Sequence, residues 1–417
     1  MRICKENYES QGIISGFKYF FYILILLSSL LIPSCLRQSI INPDGSIGSR
    51  KNGTAAAKID QISAYVKSVS SSMDNRLLVS QIIISGVDGR KTLPPQMKTL
   101  LKEIRPGGIM FFSYNLNTDN DSIRSYINEI VTLIKDETTD RKHNGIAPFI
   151  SIDHEGGAIN RFMPGVTRLP SASSYWKLYQ EEGVDAALAK IESDSLKSAK
   201  EIRALGFNLN FAPVAEYTIN ENKNFLAARS YGPDPSFSAL AAGAFIKGME
   251  QADILCVIKH FPGVSGIDPH FHSSVLNMDL TSLKKLIYPF EFLINKGARA
   301  LMTAHTLAPA VDKNKIASFS PVVMQNWLRD ELGFKGIIIS DDFNMKSIGN
   351  ISIEEAAVQA VIAGTDIILI WPVHLKQTYN ALLKALDNGQ LTRERLLDAV
   401  ERILYEKVKM GLLEIRN

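Results

Sequence analysis

Two adjacent carboxylates close a very apolar run of the chain. The segment 337–340, Ile-Ile-Ile-Ser, leads directly into Asp341 and Asp342. Aspartate is rare in so apolar a setting unless it is paired or functional. A carboxylate at the mouth of a buried strand can attack an anomeric carbon and form a glycosyl-enzyme intermediate. An Asp pair that binds metal or phosphate, or that caps the next helix, would look the same, so this motif alone leaves those alternatives open.

A carboxylate and two imidazoles share the loop Asp268-Pro269-His270-Phe271-His272. Imidazole titrates near neutral pH, so it can protonate a leaving oxygen and later accept a proton from water. A neighbouring aspartate can orient the ring and stabilise its charged form. Two histidines could also ligate a metal, although no spacing indicates a third ligand. A solvated loop without a role is the third interpretation.

Three further segments carry polar side chains beside glycine or proline. Asp153 stands in Ser-Ile-Asp-His-Glu-Gly-Gly, where it could accept hydrogen bonds from adjacent sugar hydroxyls or form a turn. Lys259 and His260 open Lys-His-Phe-Pro-Gly and could donate to hydroxyl or acetamido oxygens. Arg229 stands in Arg-Ser-Tyr-Gly-Pro-Asp-Pro, where a structural salt bridge explains it nearly as well as a substrate contact.

These side chains need a scaffold that brings several strand ends together. Short apolar runs alternate with longer amphipathic stretches, which predicts an α/β fold and favours a single (β/α)8 barrel of the TIM type. Catalytic groups in such a barrel lie where a strand ends, and Asp153, Lys259, His260, His305 and Asp341 all fall there. The predicted strands are 78–85, 108–112, 149–153, 208–212, 256–259, 300–304, 336–340 and 366–370. The predicted helices include 185–205, 236–251, 281–295, 321–332 and a closing 392–410.

The N-terminal segment is unlike the rest of the chain. Basic residues precede the apolar run 19–31, which is short for a membrane span, and Cys35 follows a small residue. This pattern resembles a bacterial lipoprotein signal, so we expect cleavage after residues 1–34, acylation of Cys35 and export to a membrane anchor. An uncleaved membrane anchor is the alternative. We expect 35–73 to be a flexible tether with at most a short helix at its end, and 74–417 to be one catalytic domain.

The composition excludes several classes of protein. The formal net charge is only +3 over 417 residues, which is far from the basic footprint of a nucleic-acid binder. With 46% hydrophobic and 21% charged residues, the chain is not largely disordered. The cysteines, Cys4, Cys35 and Cys256, are too few and too scattered for a disulfide framework or a zinc site. We expect Cys256 to be a small buried hydrophobe.

Taken together, the polar segments resemble glycoside hydrolase family 3, and within it the bacterial β-N-acetylglucosaminidases of peptidoglycan turnover. The matching pieces follow the family order, so the set is far more specific than any one piece. They are Pro-Gly-Gly-Ile at 106–109, Asp-His-Glu-Gly-Gly at 153–157 with Arg161, Asn-Phe-Ala-Pro-Val at 210–214, Arg-Ser-Tyr-Gly at 229–232, Lys-His-Phe-Pro-Gly at 259–263, Met-Thr-Ala-His at 302–305 and Ser-Asp-Asp-Phe-Asn-Met at 340–345.

The resemblance implies a role for each candidate site residue. Asp341 matches the family nucleophile. In this branch the acid/base is a histidine of an Asp-x-His pair, in place of the second carboxylate of most retaining glycosidases. The positions that match ligands of the N-acetylglucosamine ring are Asp153, Arg229, Lys259 and His260, with Arg161 and Glu216 near that pocket.

The acid/base loop departs from the family pattern. The common form continues Pro-Gly-His-Gly and reaches Asp-Ser-His after a longer stretch, whereas 263–268 read Gly-Val-Ser-Gly-Ile-Asp. A two-residue deletion aligns Asp268 and His270 with the pair, whereas an ungapped alignment lands on His272. We prefer the deletion because it keeps a carboxylate beside the imidazole. The shorter loop bears more on leaving-group specificity than on the chemistry.

We therefore expect an exported, membrane-anchored, monomeric exo-glycosidase that releases terminal β-linked N-acetylglucosamine from peptidoglycan fragments or related glycans. It would need no cofactor or metal and would bind no nucleic acid. Export is a second departure, because close relatives in many bacteria are cytoplasmic. Alternatives within the family are a β-glucosidase and a phosphorylase with phosphate as acceptor. The alternative from another class is a catalytically silent, sugar-binding lipoprotein.

Overall fold

The fold is taken from a computed structural model, which describes residues 55–116, 118–135, 145–162 and 165–415. The expected signal segment, Cys35 and most of the expected tether lie outside these residues. The residues from Ala57 to the end form one compact unit. Its first helix is α1, Ala55–Ser72, whose Ile62 and Val66 are buried in the main hydrophobic core. The end of the segment that we assigned to the tether is therefore helical and packed.

Eight parallel strands close into a barrel, which confirms the predicted (β/α)8 architecture. Each strand pairs with the strands that precede and follow it in the chain, and the eighth pairs with the first through Ile83 and Ile368. The strands are β1 Ile83–Gly86, β2 Gly108–Phe111, β3 Phe149–Ile152, β4 Leu209–Asn210, β5 Leu255–Phe261, β6 Ala300–Thr303, β7 Ile337–Asp342 and β8 Ile367–Ile370. Nearly all of their residues are buried, because side chains fill the barrel interior and helices cover its outside.

Helices of varied length surround the barrel. Many begin at a side-chain cap that satisfies a free backbone N–H, as Thr392 does for the last helix. After α1 they are α2 Asn75–Gln81, α3 Pro95–Ile104, α4 Asn120–Ile134, α5 Ala172–Glu182, α6 Val184–Leu205, α7 Lys223–Leu226, α8 Pro235–Glu250, α9 Leu280–Leu286, α10 Tyr288–Asn295, α11 Ile353–Ala363, α12 Leu375–Asp387 and α13 Arg393–Lys409. In the described part of the chain, none is long and apolar enough to cross a bilayer.

Three predicted elements differ from the observed ones. The segment 78–85 is divided between the end of α2, which is capped by Asp74, and the start of β1. Its apolar residues fit a buried helix as well as a strand. The helix expected over 281–295 is interrupted at Ile287, because Pro289 has no N–H to donate to the preceding turn. The segment 321–332 is helical as expected but winds as a π-helix, Val322–Glu331.

The barrel places its polar strand ends on one face. All eight strands run in the same direction, so their carboxyl ends share one rim. Asp153 directly follows β3, Lys259 and His260 lie near the end of β5, and Asp341 lies at the end of β7. Cys256, at the start of β5, is buried as expected, and burial raises the pKa of its thiol.

Candidate active site

A cavity of about 360 Å³ opens at this rim of the barrel. It brings together the carboxylate expected to act as nucleophile, the preferred acid/base histidine, the four expected ligands of the sugar ring, and Arg161, which was expected near that pocket. The sequence-predicted residues that line it are Asp153, Arg161, Arg229, Lys259, His260, His270 and Asp341. His272 is not among the lining residues, although it lies only two positions from His270.

The charged floor of the cavity is a network of three cations and two carboxylates, in which Lys259 is buried and the other four are partly buried. Lys259 Nζ lies 2.9 Å from Asp153 Oδ1 and 2.7 Å from Glu155 Oε1. Arg229 donates two hydrogen bonds to Glu155, at 2.8 and 2.9 Å. Arg161 closes the other end, with Nη2 at 3.0 Å from Asp153 Oδ2. Three cations thus share two carboxylates, which leaves unused N–H groups for oxygens of a bound ligand.

Pairing keeps this network ionised despite its burial. Burial alone would raise the pKa of Asp153, but Lys259 and Arg161 lower it below its usual value. Burial would lower the pKa of Lys259, yet Asp153 and Glu155 raise it instead. The pKa of Arg229 is likewise raised by Glu155 against the effect of burial. Because each group stabilises the charge of its neighbour, the donors are fixed before a ligand arrives.

Glu216 orients the imidazole of His260. Its Oε1 accepts from the His260 backbone N–H at 3.1 Å and lies 2.9 Å from Nδ1, while Oε2 accepts from the Val264 N–H at 2.7 Å. Glu216 is fully buried. With Nδ1 occupied by a carboxylate, the ring presents Nε2 towards Arg229, whose Nη2 lies at 3.5 Å. The resemblance placed Glu216 near the pocket, and the structure shows that it acts through His260.

Asp341 is held by its own chain, and the buried His305 lies near it. Asp341 Oδ1 accepts from the Asp342 N–H at 2.8 Å. His305 stacks on Phe343 with ring centroids 5.2 Å apart, and its Nδ1 lies 2.8 Å from Ser318 Oγ. Burial lowers the pKa of His305, although Asp341 opposes this. His305 does not line the cavity, so its place at a strand end is explained by packing near the carboxylate.

The acid/base loop is docked on the segment that follows Asp341. Asp268 Oδ1 accepts from the His270 N–H at 2.9 Å and lies 2.7 Å from His270 Nδ1. Burial would raise the pKa of Asp268, but its hydrogen bonds with His270 lower it. The Ser347 N–H donates to the Pro269 carbonyl at 3.1 Å, and the Lys346 N–H donates to that of His270 at 3.4 Å. The loop thus reaches the nucleophile side of the cavity.

Several lining residues were missed by reasoning from the sequence. Glu155 was quoted only as part of a motif, yet it joins Lys259 to Arg229. Phe112 and Trp371 stand directly after β2 and β8, so the rule that sites form at strand ends could have found both. Neither side chain is an acid or a base in the physiological pH range, so neither stands out by its chemistry in the sequence. Over the described ranges, no group of three His, Cys, Asp or Glu side chains is arranged to hold a metal ion.

The chain matches a known family over most of its length. The family model described as Glycosyl hydrolase family 3 N terminal domain matches residues 66–405. The β-hexosaminidase of Neisseria gonorrhoeae is 33% identical over 283 residues, which are 67% of this chain and 74% of that protein. The β-hexosaminidase of Methylococcus capsulatus is 32% identical over 287 residues, which are 68% of this chain and 80% of that protein.

Solved structures agree with these sequence matches. A glycoside hydrolase family 3 β-N-acetylglucosaminidase from a Paenibacillus species has a TM-score of 0.74 at 30% identity, over 82% of this chain and 63% of that one. NagZ from Neisseria gonorrhoeae, in complex with N-trifluoroacetyl-D-glucosamine, has a TM-score of 0.67 at 28% identity, over 78% of this chain and 89% of that one.

Proposed function

The chain belongs to glycoside hydrolase family 3, and we propose that this glycoside hydrolase releases terminal β-linked N-acetylglucosamine with net retention of configuration. One observation carries the proposal: a single cavity is lined by Asp341, by His270 and by the three cations that share Asp153 and Glu155. These are a nucleophile, a proton donor and a fixed set of hydrogen-bond donors for sugar oxygens.

The charged floor binds and orients the terminal sugar. Asp153 accepts hydrogen bonds from ring hydroxyls, while Arg161, Arg229 and Lys259 donate to hydroxyl and acetamido oxygens. Since these groups are already paired, they lose little freedom when a sugar binds. A site that holds one ring in this way suits an exo-acting enzyme.

The reaction proceeds in two displacements. In the first, an Asp341 oxygen bonds to the anomeric carbon from one face, while His270 gives its proton to the glycosidic oxygen and that bond breaks. In the second, the same imidazole removes a proton from water, whose oxygen displaces Asp341 and frees the sugar. Asp268 accepts from Nδ1, so Nε2 is the nitrogen left to exchange the proton. Two inversions give net retention.

Replacing the nucleophile tests this mechanism. We expect Asp341→Ala to lower the hydrolysis of p-nitrophenyl N-acetyl-β-glucosaminide by roughly three orders of magnitude or more. Azide is small and nucleophilic, so it can occupy the vacated space and attack the same face, giving an α-glycosyl azide that NMR identifies. Wild type should release the β-anomer first. A first-formed α-anomer from wild type, or an Asp341→Ala variant with normal turnover, would refute the proposal.

We infer from the N-terminal segment that the enzyme acts outside the cytoplasm, on wall fragments or related glycans. The support is the basic and apolar signal pattern that ends at Cys35. Acylation of its thiol would tether the barrel through the segment that follows. Cells that express the full chain should incorporate labelled palmitate into wild type and not into Cys35→Ala. Equal labelling of the two proteins would exclude Cys35 as the anchor.

A further inference from the structure

Three aromatic rings stack at the mouth of the barrel, next to the ends of β2 and β8. Phe112, just after β2, lies 4.6 Å from Trp371 between ring centroids, with their planes 14° apart. Tyr114 stacks on Phe112 at 5.8 Å and 11°. Trp371 directly follows β8 and is half-buried, and both it and Phe112 line the cavity that contains Asp153 and Asp341. Trp371 is thus the end of a stack that reaches into the site.

The indole is fixed at its edge as well as on its face. Trp371 Nε1 donates to Asp342 Oδ2 at 2.5 Å, and Asp342 is the neighbour of the nucleophile. The other carboxylate oxygen of Asp342 accepts from the backbone and side chain of Asn344, both at 2.9 Å. A side chain pinned at both places loses little rotamer freedom on contact with a ligand. The same hydrogen bond sets the position of the ring relative to Asp341.

The end of β1 is shaped to admit this stack. Gly86 lies between β2 and β8 in the barrel order, and a Cβ atom at that position would stand 2.9 Å from Phe112 Cε2 and 2.8 Å from Pro372 Cδ. Both distances are shorter than real Cβ contacts, so any larger residue would displace the ring or the segment after Trp371. The observed stack of Phe112 on Trp371 therefore requires glycine at position 86.

The stacked rings of Phe112 and Trp371 form an aromatic wall in the same cavity as the charged floor, and this combination fits the two-sided chemistry of a pyranose. Its hydroxyls and acetamido oxygen seek the donors of the floor, whereas its axial C–H groups form an apolar face that packs well on an indole. We propose that Trp371 is a binding residue for the terminal sugar and packs against this C–H face while Lys259 and Asp153 hold the hydroxyls. This inference rests on the proposed function, and it adds a specificity-determining residue to that site.

Intrinsic fluorescence reports contact with Trp371 directly. The chain has three tryptophans, and the other two are Trp176, which packs on Phe237, and Trp327, which is buried beside Phe261. N-acetylglucosamine, the product, should change the emission of wild type with a saturable curve that yields its Kd. Trp176→Phe, the matched control, should keep this response. Trp371→Phe should lose it while retaining most of the affinity, measured by calorimetry.

Two further variants test whether contact with Trp371 contributes to the affinity for the sugar. We expect Trp371→Ala to weaken the Kd for N-acetylglucosamine by about tenfold, which corresponds to about 1.4 kcal/mol of lost binding free energy. Gly86→Ala should weaken the Kd by about threefold, because the added methyl group displaces Phe112 or the segment after Trp371. This substitution alters no charged group. Thermal unfolding of each variant verifies that it is folded.

The outcomes distinguish this inference from the function on which it rests. A wild-type enzyme that hydrolyses N-acetylglucosaminides, with an unchanged Kd in folded Trp371→Ala, would overturn the inference alone. A response that persists in Trp371→Phe would also overturn it. Binding of N-acetylglucosamine that depends on Trp371, in a protein without hydrolytic activity, would refute the proposed function and support the sugar-binding role of Trp371.

Discussion

At the scale of single residues, the groups proposed to bind the sugar are less exposed than the histidine proposed to transfer the proton. The groups proposed to hold the sugar are mutually paired, and Lys259 is only 4% exposed on its side chain. His270, in contrast, is 54% exposed on its side chain and pairs with Asp268. An acid/base residue gives a proton to the leaving sugar and later takes one from water, so it must be accessible to both. The exposure of His270 therefore suits this role.

This difference supports His270 as the proposed acid/base residue. His270 lines the cavity and has a carboxylate on Nδ1, whereas His272 does not line the cavity and donates its backbone N–H to the Asp268 carbonyl, at 3.1 Å. We expect His270→Ala to lower kcat/KM for a disaccharide substrate by about 10²- to 10⁴-fold, the usual contribution of general acid catalysis. The loss in kcat/KM should be smaller for a p-nitrophenyl leaving group, which needs little protonation.

His272→Ala is the matched control, because it removes an imidazole from the same loop. It should keep kcat/KM within about threefold of wild type for both substrates, since less than 1 kcal/mol of transition-state stabilisation is at stake. Steady-state kinetics on the two leaving groups decides the matter. An inactive His272→Ala beside a normal His270→Ala would show that the ungapped alignment of the loop is the right one.

At the scale of elements, the sequence predicted the strands better than the helices and loops between them. Seven of the eight predicted strands overlap barrel strands closely, and the site residues were found because they follow those strands. Periodicity and apolar runs carry that information. The same signal misread 78–85, because an apolar run of that length does not distinguish α2 from a strand. Asp74, a good N-cap, was the local sign that was overlooked.

The rest of the site could not be predicted because it depends on contacts between distant elements. Trp371 and Asp342 are 29 residues apart, and only closure of the barrel brings β7 and β8 side by side. Glu216 and His260 are 44 residues apart, and they meet because β4 precedes β5 around the barrel. No local pattern marks such pairs, whereas a (β/α)8 topology places their strand ends together once it is known.

At the scale of the whole molecule, an unusual buried base stands outside the catalytic machinery. Lys407, near the end of α13, is fully buried, and its Nζ lies 2.9 Å from Gln81 Oε1 and 5.2 Å from the ring centroid of Phe149. Among the ion pairs of the described residues, none includes Lys407. Burial lowers the pKa of this amine from 10.5 to about 7. Its neutral form is therefore favoured in the fold, whereas the unfolded chain protonates it.

This difference makes the stability of the molecule depend on pH in a fixed direction. Between the folded pKa of about 7 and the unfolded value of 10.5, the unfolded chain binds one more proton than the native state. The free energy of unfolding must then rise as pH rises across this window. The cost of burying the amine is greatest near and below pH 7 and disappears above the unfolded pKa.

Lys407→Met removes the titrating group and keeps most of its length, so it should abolish this part of the pH dependence. From pH 7 to pH 10, the free energy of unfolding of wild type should rise by about 3 kcal/mol relative to the variant, as the shift in pKa requires. Urea denaturation at both pH values measures the difference, and other titrating groups cancel because they are common to both proteins. Lys177→Met, at a side chain that is 76% exposed, is the control and should track wild type. If the difference in the free energy of unfolding between wild type and Lys407→Met stays constant over this pH range, Lys407 remains charged in the fold. Gln81 and Phe149 would then be sufficient to stabilise its charge.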